Sequence, residues 1–366
     1  MGERGDDGEE GEMTGGKRND HASTMKKMAR SRGSGRLAAG ILAAAMAASL
    51  VGQASCTAAL RKSDAAALSD MVGHWAPLGW DDGVDPCMWP GIECGKAMEG
   101  MIVPAEVSYI KSISLSNVCP NAEAMGLSCV IPDSFGTLEG LETAYLAGNG
   151  FVGHLPGTLG GLKSLKWLYL NANRLTGEIP PSIGKLSALE KLYLNSNHLS
   201  GEIPEELGDV KVLHHLELQQ NELFGEIPKE LGLLTELVQL DLSENRLTGE
   251  IPDELGNLKE LHRLDLHNNM LTGSIPARLL DVKMQALMRI NLENNKLTGH
   301  VPYGICHMLR LIVIKLREGN DLEGDVVECE APHGFHGRDH ENRRHCLEQM
   351  RDFCVKLPPF GLHDEL

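Results

Sequence analysis

The chain has 366 residues, 42% of them hydrophobic but only 4% aromatic, and a formal net charge of −17. That length suits one large domain or two ordinary ones, and the acidic balance argues against a nucleic-acid partner, which needs a basic face for the phosphate backbone. A leucine-rich core with few aromatics points to many small similar layers, so internal repeats are the first thing to seek.

Residues 1–24 are acidic and glycine-rich, read as a disordered extension, and they leave Met1 and Met25 as alternative starts. "MKKMARSRGSGR" (25–36) then carries five basic residues and no acid, "LAAGILAAAMAASLV" (37–51) is a 15-residue apolar run, and "GQA" supplies small residues near Ala54. This is the anatomy of a secretory signal peptide over 25–54. The alternative is an uncleaved signal anchor, the only reading that brings a membrane; 15 residues fall short of the ~20 that span a bilayer comfortably.

Residues 55–106 read as an N-terminal cap, with a short helix at 64–74 and "DPCMWPGIEC" at 85–94. From 107 to 329 the chain repeats about nine times, and Asn149, Asn173, Asn197, Asn221, Asn245 and Asn269 stand 24 residues apart, followed by Asn295 and Asn320. The pattern is L-x-x-L-x-x-L-x-L-x-x-N-x-L-x-G-x-I-P. In "LKWLYLNANRLTGEIP" (165–180), Leu168 and Leu170 alternate on a short strand and point inward, and Leu165, Leu175 and Ile179 fill the same interior. Asn173 is placed to bond backbone groups of neighbouring coils, Gly177 to turn with positive φ, and Pro180 to sit where no ladder N–H is needed. One coil cannot bury its own face, so stacking is obligatory and the ends need caps.

The repeat resembles the plant-type leucine-rich repeat of receptor-like ectodomains and polygalacturonase-inhibitor proteins, over roughly 60% of the chain. The resemblance implies an α/β repeat solenoid, a right-handed leucine-rich-repeat superhelix with a parallel β-sheet on its concave face and disulfide-bonded caps. It implies a Cys87–Cys94 disulfide, and recognition of a protein or peptide. The other cysteines are left open by the sequence, since eight admit 105 pairings. By position, Cys119 with Cys129, Cys306 with Cys329, and Cys346 with Cys354 are the expected pairs.

The free positions of each strand form columns on the concave side. One reads Tyr145, Tyr169, Tyr193, Glu217, Asp241, Asp265, Asn291, and the column before it holds Trp167 and His215. Aromatics standing off a strand face are not needed by the core, and they bury much area at little entropy cost. The expected partner-binding set is therefore Tyr145, Trp167, Tyr169, Tyr193, His215, Glu217, Asp241 and Asp265.

Motifs that look like chemistry dissolve on inspection. "GNGFVG" (148–153) spells G-x-G-x-x-G, but Asn149 belongs to the repeat and Pro156 would break the helix such a loop opens. "HENRRH" (340–345) spaces its histidines five apart, not the four that place both on one helix face. No nucleophile converges with a base, so the reading is non-catalytic, with no cofactor and no metal. Residues 330–362 read as a C-terminal cap. His363, Asp364, Glu365 and Leu366 spell HDEL, which at a free C-terminus addresses a protein to the retrieval receptor of the endoplasmic reticulum. The expected location is the reticulum lumen, with secretion or the cell surface as the alternative.

Overall fold

The computed structural model describes residues 59–75, 84–99, 105–116, 118–119, 129–281, 283–308, 310–324, 348–352 and 354. The expected extension, signal segment and HDEL lie outside these residues, as do most of the C-terminal cap and the histidines of 333–345.

The 24-residue period folds as stacked coils. Each contributes one short strand to a long sheet: β3 (Ala105–Ser114), β4 (Thr143–Tyr145), β6 (Trp167–Tyr169), β8 (Lys191–Tyr193), β10 (His215–Glu217), β12 (Gln239–Asp241), β14 (Arg263–Asp265), β15 (Arg289–Asn291) and β17 (Val313–Lys315). They pair in that order, all parallel, and equivalent residues face one another: Leu168 with Leu192, Leu192 with Leu216, Leu216 with Leu240. The register follows from the pattern, since a slip by one residue would turn every leucine out of the core.

Leu165, Leu168, Leu170 and Leu175 are fully buried, and so are their equivalents along the rod. Each such side chain contributes about 2 kcal/mol. Beyond the strand, Ala172, Ser196, Gln220, Glu244, Asn268 and Asn294 all adopt φ of 53–58°. This left-handed residue turns the chain so that the next one, the repeat asparagine, points inward. Gly148 holds the same place in the β4 coil with φ 67°.

The outer side is built from eight 3₁₀ turns, from Asp133–Thr137 to Tyr303–His307, each preceded by a proline of the I-P motif or its variant. Between sheet and turns runs a second, broken row of parallel pairs. β5 (Val152–Gly153), β7 (Arg174–Gly177) and β9 (His198–Leu199) form one group; β11 (Phe224–Glu226) pairs with β13 (Arg246–Thr248), and β16 (Thr298–His300) with β18 (Asp321–Glu323).

A helix and a disulfide-bonded segment close the N-terminal end of the described coils. α1 (Lys62–His74) lays Leu68 and Met71 on the first coil, and Trp75, just beyond it, is buried edge-on against Phe151 at 5.1 Å. The Trp75 indole donates to the Val130 carbonyl at 2.6 Å, and the buried Asp64 carboxylate accepts the Ile110 N–H at 2.7 Å. Burial, the largest influence, raises the Asp64 pKa above its ordinary 3.8. β1 (Ala59–Leu60) pairs with β3, and β2 (Ile92–Glu99) joins β3 antiparallel.

Cys87–Cys94 and Cys119–Cys129 are disulfide-bonded. Cys306 is joined to Cys354, which corrects the expected Cys306–Cys329 and Cys346–Cys354 pairs. Similar azimuth on consecutive coils suggested Cys329. Instead, the segment around Met350 returns to cover the last coils, and Met350 is itself buried. Such a tertiary return leaves no mark in the repeat period. Cys329 and Cys346 lie outside the described residues.

Candidate binding surface on the concave face

The strands above fix where every free side chain stands. Registration across β4, β6 and β8 sets Tyr145 beside Tyr169 and Tyr169 beside Tyr193. Their rings stack with centroids 4.7 Å apart at each step and planes 20° and 12° from parallel. His215 continues the stack, 6.3 Å from Tyr193. All three phenols are half-buried and none points into the leucine interior. Stacking covers the ring faces, so the surface presents ring edges and hydroxyls. Burial, then Glu217, then Tyr169 push the Tyr193 phenol up to about 12.

Trp167 stands next to this row, edge-on to Tyr145 at 6.4 Å, with Lys191 over its ring at 5.2 Å. Its indole N–H donates to Glu190 at 3.1 Å. Near the same rings, Asn195 Oδ1 and Gln219 Oε1 are sheltered from solvent without a hydrogen-bond partner among the described residues.

The column then becomes acidic, but not as a row of free carboxylates. Glu217 is half-buried and accepts from the Gln239 amide at 2.8 Å; burial raises its pKa. Asp241 and Asp265 are each only 1% exposed, which corrects their assignment as partner contacts. Aspartate is short, and the longer side chains of Arg263, Arg289 and His267 fold over it. Arg263 donates to Asp241 at 2.8 Å and to Asp265 at 3.2 Å, and Arg289 lies 3.6 Å from Asp265. Ser243 Oγ donates to Asp241 at 2.6 Å.

Burial first, then Asp265, raises the Asp241 pKa. The hydrogen bond to Asp265 is the main reason the His267 pKa is raised. The outward groups of this half are therefore Gln239, Arg263, Arg289 and His267. They occupy the columns flanking the acids, and side-chain length was the signal that would have found them.

The sequence-predicted residues thus separate into two groups. Tyr145, Trp167, Tyr169, Tyr193, His215 and Glu217 form one continuous, accessible patch over four coils. Asp241 and Asp265 form the buried base of a charged network beside it. The G-x-G-x-x-G stretch contributes a repeat asparagine and turn glycines, with Gly148 and Gly153 at φ 67° and 79°. Among the described residues no group of three or more His, Cys, Asp or Glu is placed to hold a metal ion.

Models of leucine-rich repeats match residues 163–208, 236–258, 260–281 and 286–308. No curated protein matches. Among solved structures, the chain is similar to the plant peptide hormone receptor RGFR1 in complex with RGF2, with 38% identity and a TM-score of 0.51, over 53% of this chain and 30% of that one. It is also similar to the ectodomain of the membrane receptor kinase GASSHO1/SCHENGEN3 from Arabidopsis thaliana, in complex with CASPARIAN STRIP INTEGRITY FACTOR 2. There the identity is 35% and the TM-score 0.57, over 67% of this chain and 27% of that one. A plant ice-binding protein shares the fold at 24% identity and a TM-score of 0.53, over 73% of this chain and 89% of that one. The chain spans less than a third of the length of the two receptor chains. It is a leucine-rich-repeat solenoid, similar in structure to plant receptor-kinase ectodomains.

Proposed function

We propose that this solenoid is a non-catalytic recognition module that holds a protein or peptide partner on its concave face. The observation that carries the reading is the unbroken stack of Tyr145, Tyr169 and Tyr193, half-exposed on the strand side away from the core. The rings are held rigid by one another, so docking against them orders little that was free. Their covered faces disfavour stacking ligands such as sugars or bases; edges and hydroxyls suit a polypeptide with its own donors and acceptors. Trp167, His215 and Glu217 frame the contact.

The proposed location is the endoplasmic-reticulum lumen, with residues 25–54 removed as a signal peptide and His363–Leu366 read by a retrieval receptor at a free C-terminus. A second reading, a secreted or cell-surface recognition protein, is favoured by the similarity to receptor ectodomains. Among the described residues no helix is long and apolar enough to cross a membrane.

The binding reading is tested by affinity capture from a lumenal extract, with the native chain and with Tyr145, Tyr169 and Tyr193 all changed to Ala. Loss of the captured protein with an unchanged circular dichroism spectrum supports the concave face; undiminished recovery overturns it. The location is tested by imaging a copy tagged after residue 54. Retention that ends when 363–366 are deleted supports the lumen, and secretion of the intact form supports the second reading.

A further inference from the structure

On the side of the solenoid away from the tyrosines, the x of the G-x-I-P motif forms its own column: His154, Glu178, Glu202, Glu226, Glu250, Ser274, His300. Four consecutive glutamates thus occupy adjacent coils, and all four are exposed. Each stem lies across the glycine of the next coil. A Cβ built on Gly201, Gly225 or Gly249 would meet the preceding glutamate's Cγ at 2.6, 2.8 and 2.8 Å. The stems are thereby laid along the rod axis and the carboxylates held in line. Among the described residues none of the four makes an ion pair or accepts a hydrogen bond.

This ladder lines a groove of about 1730 Å³ whose floor includes Ile203 and Ile227. Glu206, Glu230 and Glu254 form a second row at the start of the 3₁₀ turns, and the groove's walls hold nine carboxylates against one base, Lys229.

A second observation marks the same place. The residue before each turn glycine is Thr176, Ser200, Phe224, Thr248, Thr272 and Thr298 in successive coils. The threonine hydroxyls donate to a glycine carbonyl of the coil before, at 3.3 Å for Thr176, Thr248 and Thr272. Phe224 breaks this column. It forgoes that bond and leaves its ring 48% exposed in the groove, beside the middle of the glutamate ladder. An exposed aromatic where the repeat elsewhere carries a small hydroxyl is not a requirement of the coil.

We infer that this outer groove is a second docking surface, for an extended basic segment of a partner protein, with alternating Lys or Arg and apolar side chains. Charge complementarity selects the occupant: its basic side chains pair with the two carboxylate rows along the groove walls, and its apolar ones meet Phe224 and the isoleucine floor between them. Four rungs at roughly 4.8 Å span about 14 Å, which matches four to five extended residues.

The test is fluorescence anisotropy with the full chain and a fluorescein-labelled octapeptide of alternating arginine and leucine. Binding is expected to weaken at least tenfold when Glu178, Glu202, Glu226 and Glu250 are all changed to Gln, and its salt dependence to flatten. Phe224→Thr is expected to weaken binding severalfold with the salt dependence kept. Four neutralisations at exposed sites elsewhere (Glu139→Gln, Glu260→Gln, Glu318→Gln, Asp321→Asn) are expected to change it less than twofold, and so is Tyr169→Ala, which separates this groove from the concave face. Thermal unfolding of the quadruple Gln variant should be unchanged or raised, since it removes like-charge repulsion. Equal loss from the distant neutralisations would reduce the effect to net charge and overturn the proposal. Unaltered affinity in the quadruple variant, loss in Tyr169→Ala, or binding of calcium but not of the peptide would also overturn it.

Discussion

Asn173 Oδ1 accepts the backbone N–H of Asn149 at 3.0 Å, so the repeat asparagine of one coil directly secures that of the coil before. The same oxygen takes the Phe151 N–H at 3.1 Å, and the amide donates back to the Leu146 and Leu170 carbonyls at 3.0 and 2.9 Å. Four buried backbone groups that the leucine core could not solvate are satisfied by one side chain.

The arrangement recurs at Asn197, which accepts from Leu175 and donates to Leu170 and Leu194. Asn197→Ala leaves the buried Leu175 N–H unpaired, at about 1–3 kcal/mol, and takes one of two donors from the Leu170 and Leu194 carbonyls, which keep the Asn173 and Asn221 amides. The expected loss is about 3 kcal/mol, read from the urea midpoint. Asn197→Asp keeps the acceptor but removes the donors and adds a buried charge, so it should lose at least as much.

Arg263 bridges two carboxylates that are almost wholly buried. Arg263→Met should cost about 2–3 kcal/mol, less than a fully buried pair because the arginine keeps over a third of its exposure. Adding Asp241→Asn should recover part of that loss, which a double-mutant cycle measures.

The same cluster sets a pH slope. The folded Asp241 carboxyl keeps its proton to higher pH than its ordinary 3.8, so stability falls as pH rises from that value through the raised one. His267 adds to this. Its raised pKa contributes stability that is complete below 6.5 and lost as pH rises through the folded value. The lowered pKa of His215, caused first by burial, acts in the opposite direction. His267→Gln is therefore expected to flatten the decline in urea midpoint between pH 6 and pH 8, relative to the native chain.

The rod was legible because its period is rigid: leucines every 24 residues, one asparagine per coil and a turn glycine dictate register without reference to anything distant. The tyrosine row followed from the same ruler. The burial of Asp241 and Asp265 did not, because it depends on the reach of Arg263 and His267 from neighbouring columns and not on period. The Cys306–Cys354 link escaped for a related reason, as it joins a coil to a helical turn that lies outside the repeat.

Tyrosine ionisation tests the order of the stack. Tyr193 should titrate at about 12, held up by burial and by Glu217. Since the unfolded phenol ionises near 10, stability should fall as pH rises from 10 to about 12. Glu217→Gln should bring the late ultraviolet transition to lower pH. A single transition near 10 for all tyrosines would mean the rings are not held together.

The Cys306–Cys354 bond closes 48 residues. Removing it through Cys354→Ser should cost up to about 4 kcal/mol on the chain-entropy estimate. The last coils should become the first site of limited proteolysis, with the β6 to β12 region still protected.

Partner docking on the tyrosine row is tested most directly by site-specific photo-crosslinking with benzoylphenylalanine in place of either Tyr169, on the concave face, or Lys185, on an outer 3₁₀ turn. The captured partner is expected to crosslink from position 169 and not from position 185. Crosslinking from position 185 alone, with the partner still bound to both variants, would contradict it.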